Sequence, residues 1–261
     1  MPNLMCNHLI IHGERAVEIM RSVLVESEET DCGYEFDFEK IVPMPEELNM
    51  PVSLLTENCA RLYINGMVEY CEGYKKYSEL FKQAYNGDYF ALTEEEQNTL
   101  LNEALTWKNP DTHEPYFKNK AEVYACGKQA LDNYATYGTV DSYDWREYNW
   151  GTKWNAYETQ INDLEKADIY FNTAGSQATQ IIKALSEKYP DHKFEYEYAE
   201  ERAGGYAGFY DYENGIAVSY ADYAEGCKEA YQMYFALWGQ EDEYKFNPDT
   251  DTYEPIDGEV M

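Results

Sequence analysis

The spacing of apolar residues changes along this chain, and each change marks an element. Near the start, NHLIIHG is a short apolar run closed by Gly13, which predicts a strand; ERAVEIMRSVLVE then places Val17, Met20 and Leu24 at helical spacing. In YEFDFEKIVPMPEEL, Phe36 and Phe38 alternate with acids until Pro43 and Pro45, so an extended segment running into a turn is expected there.

From about Val52 to Tyr137 the period is helical. Met67, Tyr70, Cys71, Tyr74 and Phe81 form one stripe, Leu100, Leu101, Ala104 and Leu105 a second, and Ala121, Tyr124, Lys128 and Leu131 a third. Thr93 followed by Glu96 has the spacing of a capping box, which predicts a helix start. Strand character returns at ADIYFNTAG. SQATQIIKALSEKYP then sets Ala178, Ile181, Ile182, Leu185 and Tyr189 on one helical face, with Ser176 as its N-cap and Pro190 as its stop. KFEYEYAEE alternates strictly, Phe194, Tyr196 and Tyr198 on one side and Glu195 and Glu197 on the other, so one face is expected buried and the other anionic. Asn214-Gly215 between two alternating runs signals a tight hairpin. Tyr223, Cys227, Ala230, Tyr231, Tyr234 and Trp238 mark a last amphipathic helix, and the acidic, turn-rich ending is expected to be a loosely held tail.

The order strand, helix, strand, helical block, strand, helix, strand and hairpin predicts an α+β fold: a ferredoxin-like (split βαβ) antiparallel sheet with a helical insertion and a C-terminal hairpin and helix. The expected divisions are 1–51 for the first part of the ferredoxin-like domain, 52–137 for the insertion, 138–240 for the second part, and 241–261 for the acidic tail.

Composition changes this picture chiefly through charge. A chain of 261 residues with 44% hydrophobic positions can bury a sizeable core. Fifty Asp and Glu against twenty Lys and Arg leave −30, which repels nucleic acid and anionic membranes as direct ligands and favours a basic partner. The six cysteines, at 6, 32, 59, 71, 126 and 227, include no CxxC spacing and read as reduced thiols. The first twenty residues lack a basic n-region and a long apolar core, and no run approaches a membrane span, so a soluble cytoplasmic protein is expected.

Several stretches resemble one family: MPNLMCNHLIIHG, FDFEKIVPMPEEL, YNWGTKWNAY, and IIKALSEKYP followed by FEYEYAEERAGGYAGFY look like the YubB-type ferredoxin-like proteins of bacterial plasmids and phages. The resemblance runs through nearly the whole chain, and Trp-Gly-Thr-Lys-Trp-Asn is its most specific part. It implies a ferredoxin-like fold, a mobile-element origin and residence in a bacterial host cell, and it brings no catalytic residues. Two stretches depart from the pattern: Leu4, Met5 and Cys6, and TAGSQAT before the second helix.

The chemistry-bearing residues give little support to an enzyme. Trp150, Trp154 and Tyr157 around Gly151 read as a corner of the core, with Lys153 and Asn155 as the polar groups of the alternative, a ligand site. Phe194, Tyr196 and Tyr198 occupy positions where RNA-recognition domains stack bases, but Glu195, Glu197, Glu200 and Glu201 flank them where those domains place Lys and Arg, so core packing is expected. His8 and His12 stand about 13 Å apart along a strand, too far to share one metal. His113 and His192 fall in expected loops. NPDTDTYE and NPDTHEPY read as Asn-Pro-Asp turns; the first lacks the Gly and Glu of a calcium loop. No catalytic residue, metal ligand or cofactor is assigned.

Charge therefore carries the functional expectation. Residues 190–261 hold 18 acids and 4 bases, net −14, and much of that stretch is expected to be ordered. Duplex DNA carries one charge per ~1.7 Å, so an excess of thirty matches about fifteen base pairs. The expectation is a non-enzymatic DNA mimic of a phage or plasmid. It would inhibit a host nucleic-acid-binding defence complex, of CRISPR-Cas or restriction type, by occupying its DNA channel through Glu195, Glu197, Glu200, Glu201, Asp211, Glu213, Asp222, Glu225, Glu229, Glu241, Asp242 and Glu243. The alternative is a protein-protein interaction module that docks through the helical insertion, its acidity incidental or merely solubilising.

Overall fold

The structure is a computed structural model that describes residues 3–51, 53–67, 71–87, 91–110 and 112–256. Val52, Tyr70, Asp111 and residues 257–261, which enter the readings above, lie outside the described residues. The chain divides into two compact units, one of residues 1–43 and 146–261 and one of residues 44–145.

The first unit opens with β1 (Leu4–His12), α1 (Ala16–Ser22), β2 (Leu24–Glu26) and β3 (Tyr34–Phe36). The buried side of α1 is Ala16, Ile19 and Met20, continued by Val23. Val17 is only half-buried, and Leu24 has left the helix to pair with Phe36 in the β2–β3 hairpin. Helical spacing misassigned this segment because β-branched and aliphatic residues at its end serve a strand equally well. Phe36 and Phe38 are both fully buried, with their rings edge to face 5.4 Å apart.

The second unit holds α2 (Ser53–Asn65), α3 (Glu72–Tyr85), α4 (Glu94–Thr106) and α5 (Lys120–Tyr137), and α6 (Ser142–Asn149) falls on the boundary. The expected capping box is present: the Thr93 hydroxyl accepts from Glu96 N at 3.3 Å, and Thr93 N donates to the Glu96 carboxylate at 2.8 Å. α5 buries Val123, Cys126, Gly127, Ala130 and Leu131, whereas Ala121 and Lys128 are exposed. The expected stripe was thus rotated, because a small residue, Gly127, turns out to be the contact point. A β-carbon there would stand 2.0 Å from the Cys59 carbonyl oxygen, so only glycine lets α5 approach the α2 backbone this closely.

The first unit resumes with β4 (Tyr157–Asp163), β5 (Asp168–Ala174), α7 (Thr179–Lys188), β6 (Lys193–Glu200), β7 (Ala207–Glu213), β8 (Ile216–Tyr223), α8 (Lys228–Trp238), β9 (Tyr244–Asn247) and β10 (Thr252–Pro255). Six strands form one sheet in the order β4-β5-β1-β6-β7-β8, every neighbour antiparallel. Its first four positions, connected through α1 and α7, make the split βαβ arrangement, and the β7–β8 hairpin extends it. The fold is α+β and ferredoxin-like. Asn214 at φ 49° and Gly215 at φ 70° supply the two left-handed residues of the tight β7–β8 turn.

One sheet face, carrying Leu9, Ile11, Ile169, Phe171, Phe194, Tyr196 and Tyr198, is fully buried with Ile181, Ile182 and Leu185 of α7. Ser176 does not cap α7. The helix starts three residues later behind Ala178, and the Ser176 hydroxyl donates to the Gly151 carbonyl. On the other face α8 covers one end of the sheet: Trp238 Nε1 donates to the Ala199 carbonyl at 3.0 Å, and Ala230 packs with Ala199 and Ala207. The ending is not a loose tail through residue 256. β9 and β10 pair and lay Tyr244 and Tyr253 against Tyr231 of α8, both at 5.7 Å between ring centroids. The acids of this stretch mask the hairpin in the sequence, since Tyr244 and Tyr253 pack only one side of it.

Candidate functional site

The alternation of β6 puts Glu195 and Glu197 on the sheet face opposite the buried aromatics, and the register of the neighbouring strands completes that face in rows. One row runs Asp168, Ile10, Glu195, Asp211, Ser219 from β5 to β8; the next runs Tyr170, His8, Glu197, Phe209, Ala221. His12, Lys193 and Glu213 extend the surface at its outer end. A shallow concavity of ≈ 390 Å³ is lined here by His8, Ile10, Glu195, Glu197, Phe209 and Asp211.

His8 sits at the middle of this surface. Its Nε2 lies 2.8 Å from Asp168 Oδ1 and its Nδ1 3.1 Å from Glu197 Oε2, and its ring stacks on Tyr170 at 4.1 Å and 3°. A neutral imidazole has a single N–H, so satisfying both carboxylates requires the imidazolium. Burial opposes that charge, but the hydrogen bonds the ring donates to Glu197 and Asp168, with their negative charge, outweigh it and raise the histidine pKa above its ordinary value of 6.5. Asp168 also accepts from Asn162 Nδ2 at 2.7 Å. Beside this cluster, Lys193 Nζ reaches Glu195 at 2.8 Å and Asp211 at 3.3 Å, and His12 Nε2 reaches Glu195 at 3.0 Å. The Lys193 hydrogen bond, helped by His12, depresses the Glu195 carboxyl against the effect of burial.

Cys6, two residues from His8, has its thiol pushed up to about 12 by burial, the reverse of what a thiolate nucleophile needs. Among the described residues no group of three or more His, Cys, Asp and Glu side chains is arranged to hold a metal ion.

The twelve expected contact acids do not form one surface. Glu195, Glu197, Asp211 and Glu213 share the open face. Asp222 lies on the opposite side of the sheet, where it accepts from the Tyr198 and Tyr210 hydroxyls. Glu200 is a correction: only 8% exposed, it accepts from Asn3 and from Tyr206 N and ties the β6–β7 connection together. Glu225 pairs with Arg202. Glu201, Glu229, Glu241, Asp242 and Glu243 are exposed, the last three in a 3-10 turn after α8. Alternation located the open face, but it gave no sign that His8, Asp168 and Tyr170 belong to it, because these meet Glu197 only through the register of β1 and β5.

Trp150 is core: 1% exposed, it donates from Nε1 to the Val42 carbonyl at 2.9 Å and packs edge to face on Phe38 at 5.7 Å. Asn155 accepts from Phe38 N and donates to Asp37, so it fixes the turn after β3. Trp154 is 47% exposed. Tyr196, fully buried, donates to Asn7 Oδ1 at 2.6 Å and accepts from Ala178 N at 2.8 Å, which removes it from any stacking role. Asn247 to Glu254 forms the β9–β10 turn, with the Asn247 side chain accepting from Asp249 N and donating to Glu254. In the helical unit a concavity of ≈ 510 Å³ is lined by residues including Met50, Asn109, Tyr116 and Tyr143.

Residues 153–254 match the family model described as the ferredoxin-like domain in Api92-like protein. The matched stretch runs from β4 into β10 and includes the acids Glu195, Glu197 and Asp211 of the open face. This match supports a ferredoxin-like domain and names a family other than the YubB-type one. No curated protein matches the chain. Among solved structures, the chain is similar to protein api92 from Yersinia pseudotuberculosis at 13% identity, covering 87% of this chain and 99% of that one, with a TM-score of 0.36.

Proposed function

We propose that this protein, with a ferredoxin-like domain over residues 153–254, is a non-catalytic acidic binding protein of a phage or plasmid. Its role is to occupy the DNA channel of a basic host defence complex. The observation that carries this reading is the concentration of charge on an ordered scaffold: the described residues of the strand-rich unit hold 31 acids against 12 bases, net −19, while those of residues 44–145 hold 14 against 8, net −6. Carboxylates fixed on strands 4.7–4.9 Å apart present charge at a spacing nearer to a phosphate backbone than a fluctuating tail would. The mimicking set is narrower than the sequence suggests. Glu200 is withdrawn into the fold, and Lys193, His8 and Arg202 offset part of the rest.

Binding of this kind is fast and weakens steeply with salt. The test measures displacement of duplex DNA from purified CRISPR effectors and restriction complexes across a salt series. Wild type is compared with a variant in which Glu213, Glu229, Glu241, Asp242 and Glu243 are changed to Lys. Mimicry predicts displacement that falls with salt and is lost in the variant. Displacement insensitive to both would leave the second reading, docking through the helical unit, whose concavity beside Tyr116 and Tyr143 supplies a surface of its own.

A further inference from the structure

The two edges of the six-stranded sheet are treated differently. β4 carries register breaks between Tyr157 and Gln160 and between Ile161 and Asp163, and Glu158 has φ 54°. The 32–36 segment also covers it: Phe36 N donates to Thr159 Oγ1 at 2.9 Å, and Cys32 Sγ donates to the Thr159 carbonyl at 3.1 Å. Among the described residues β8 has no such cover. Its only irregularity lies near the turn, opposite Asp211 and Tyr212, and Ser219–Tyr223 pair in unbroken register with Ala207–Asp211. Along it Ile216, Val218 and Tyr220 are 64%, 53% and 62% exposed.

Open edges in folded proteins are normally blocked by Lys, Pro or an inward charge. Ile216–Tyr223 contains neither Lys nor Pro, and its one charge is Asp222. Another copy of this chain would fit the backbone, but it brings a second net charge of −30 to the contact. Charge therefore selects an occupant of opposite sign. The side chains agree: Tyr220 stacks on Tyr210 at 5.5 Å and 7°, beside an Asp222 carboxylate held by the Tyr198 and Tyr210 hydroxyls. An aromatic face next to a carboxylate suits a Lys or Arg side chain.

We propose that the outer edge of β8, over Val218–Asp222, docks an extended basic strand of a protein partner, which adds to the sheet beside β8. This rests on the acidic-capture reading and names its contact: main-chain bonds supply affinity, and alternate side chains meeting Val218, Tyr220 and Asp222 supply selectivity.

The probe is an acetylated, amidated octapeptide alternating lysine and valine. Its controls are the same peptide N-methylated at alternate amides and one alternating glutamate and valine. The readout is amide hydrogen exchange of the whole chain, with affinity measured in parallel. Slowing of roughly tenfold or more over residues 218–222 is expected with the lysine peptide, and not with either control. The variant with Val218→Lys and Tyr220→Lys, both changes at exposed positions, is expected to lose that protection while keeping the wild-type circular dichroism. Equal binding of the N-methylated peptide would mean charge alone, which overturns strand addition and leaves acidic capture standing. Absence of protection by the lysine peptide overturns it too, as does equal protection by the glutamate peptide. Sedimentation showing a dimer that protects the same amides would assign the edge to a second copy instead.

Discussion

Replacing His8 tests the charge network of the open sheet face directly. In wild type the ring bridges Asp168 on β5 and Glu197 on β6 across β1, at 2.8 and 3.1 Å. The two carboxylates are not equivalent. Glu197 is 42% exposed and regains water when its partner is removed, so its pair contributes little, about 0–1 kcal/mol. Asp168 is 11% exposed; it keeps Asn162 but loses the cation hydrogen-bonded to it, at a cost of about 1–3 kcal/mol. The stacked ring on Tyr170 adds about 0.5–1 kcal/mol. His8→Ala should therefore destabilise the strand-rich unit by about 1.5–5 kcal/mol, which lowers its melting temperature by roughly 3–20 °C. The histidine pKa is raised on folding, so its stabilisation is complete below the unfolded value near 6.5 and is lost as pH rises through the higher folded value. Melting curves from pH 5.5 to 9.5 should show wild type converging on His8→Gln at the alkaline end. Nitrogen-15 spectra of the imidazole should show both ring nitrogens staying protonated to a higher pH than in an unstructured histidine. A ring that loses its proton at or below the ordinary value near 6.5, or parallel pH profiles for the two proteins, would refute the reasoning.

Gly127→Ala should destabilise the helical unit by about 1–3 kcal/mol in urea unfolding, because the new carbon meets the Cys59 carbonyl at 2.0 Å and Ala60 N at 2.7 Å. Gly138→Ala, with φ 76° and open space around it, should lose only about 1 kcal/mol, all of it backbone strain. Thr93→Ala removes the capping box of α4 and should cost about 1 kcal/mol in the same assay; a change within a few tenths would show that the cap carries no stability. Trp150→Phe leaves the Val42 carbonyl without its 2.9 Å donor and should cost about 1–3 kcal/mol, seen as a lower melting temperature.

Much of the candidate site was legible in one strand. The alternation of β6 assigned Tyr196 and Tyr198 to the core and Glu195 and Glu197 to the opposite face before any partner strand was known. Sequence reading failed where a residue's role depends on a distant segment. Ser176 has the composition of an N-cap, yet its hydroxyl is taken by Gly151, twenty-five residues earlier. Glu200 resembles its neighbours in sequence but is buried against Asn3 at the other end of the chain. The alternating Tyr and Phe of the ending were outweighed by its acids, because composition counts charges without showing which side of a hairpin they occupy.

The sequence by itself determined the periods, and with them the elements: two-residue alternation for β6, β7 and β8, helical spacing for α7 and α8, Asn-Gly for the turn between β7 and β8. It also determined the net charge, since charge adds without regard to folding. Tertiary structure decided how those charges are used. Strand register placed His8 between Asp168 and Glu197, helix crossing chose Gly127 as the contact of α5, and sheet order left β8 at an open edge. Local spacing fixes which side of an element a residue occupies, but what stands opposite that side is set by pairings between segments up to two hundred residues apart, whose closure is governed by the packing of the whole core.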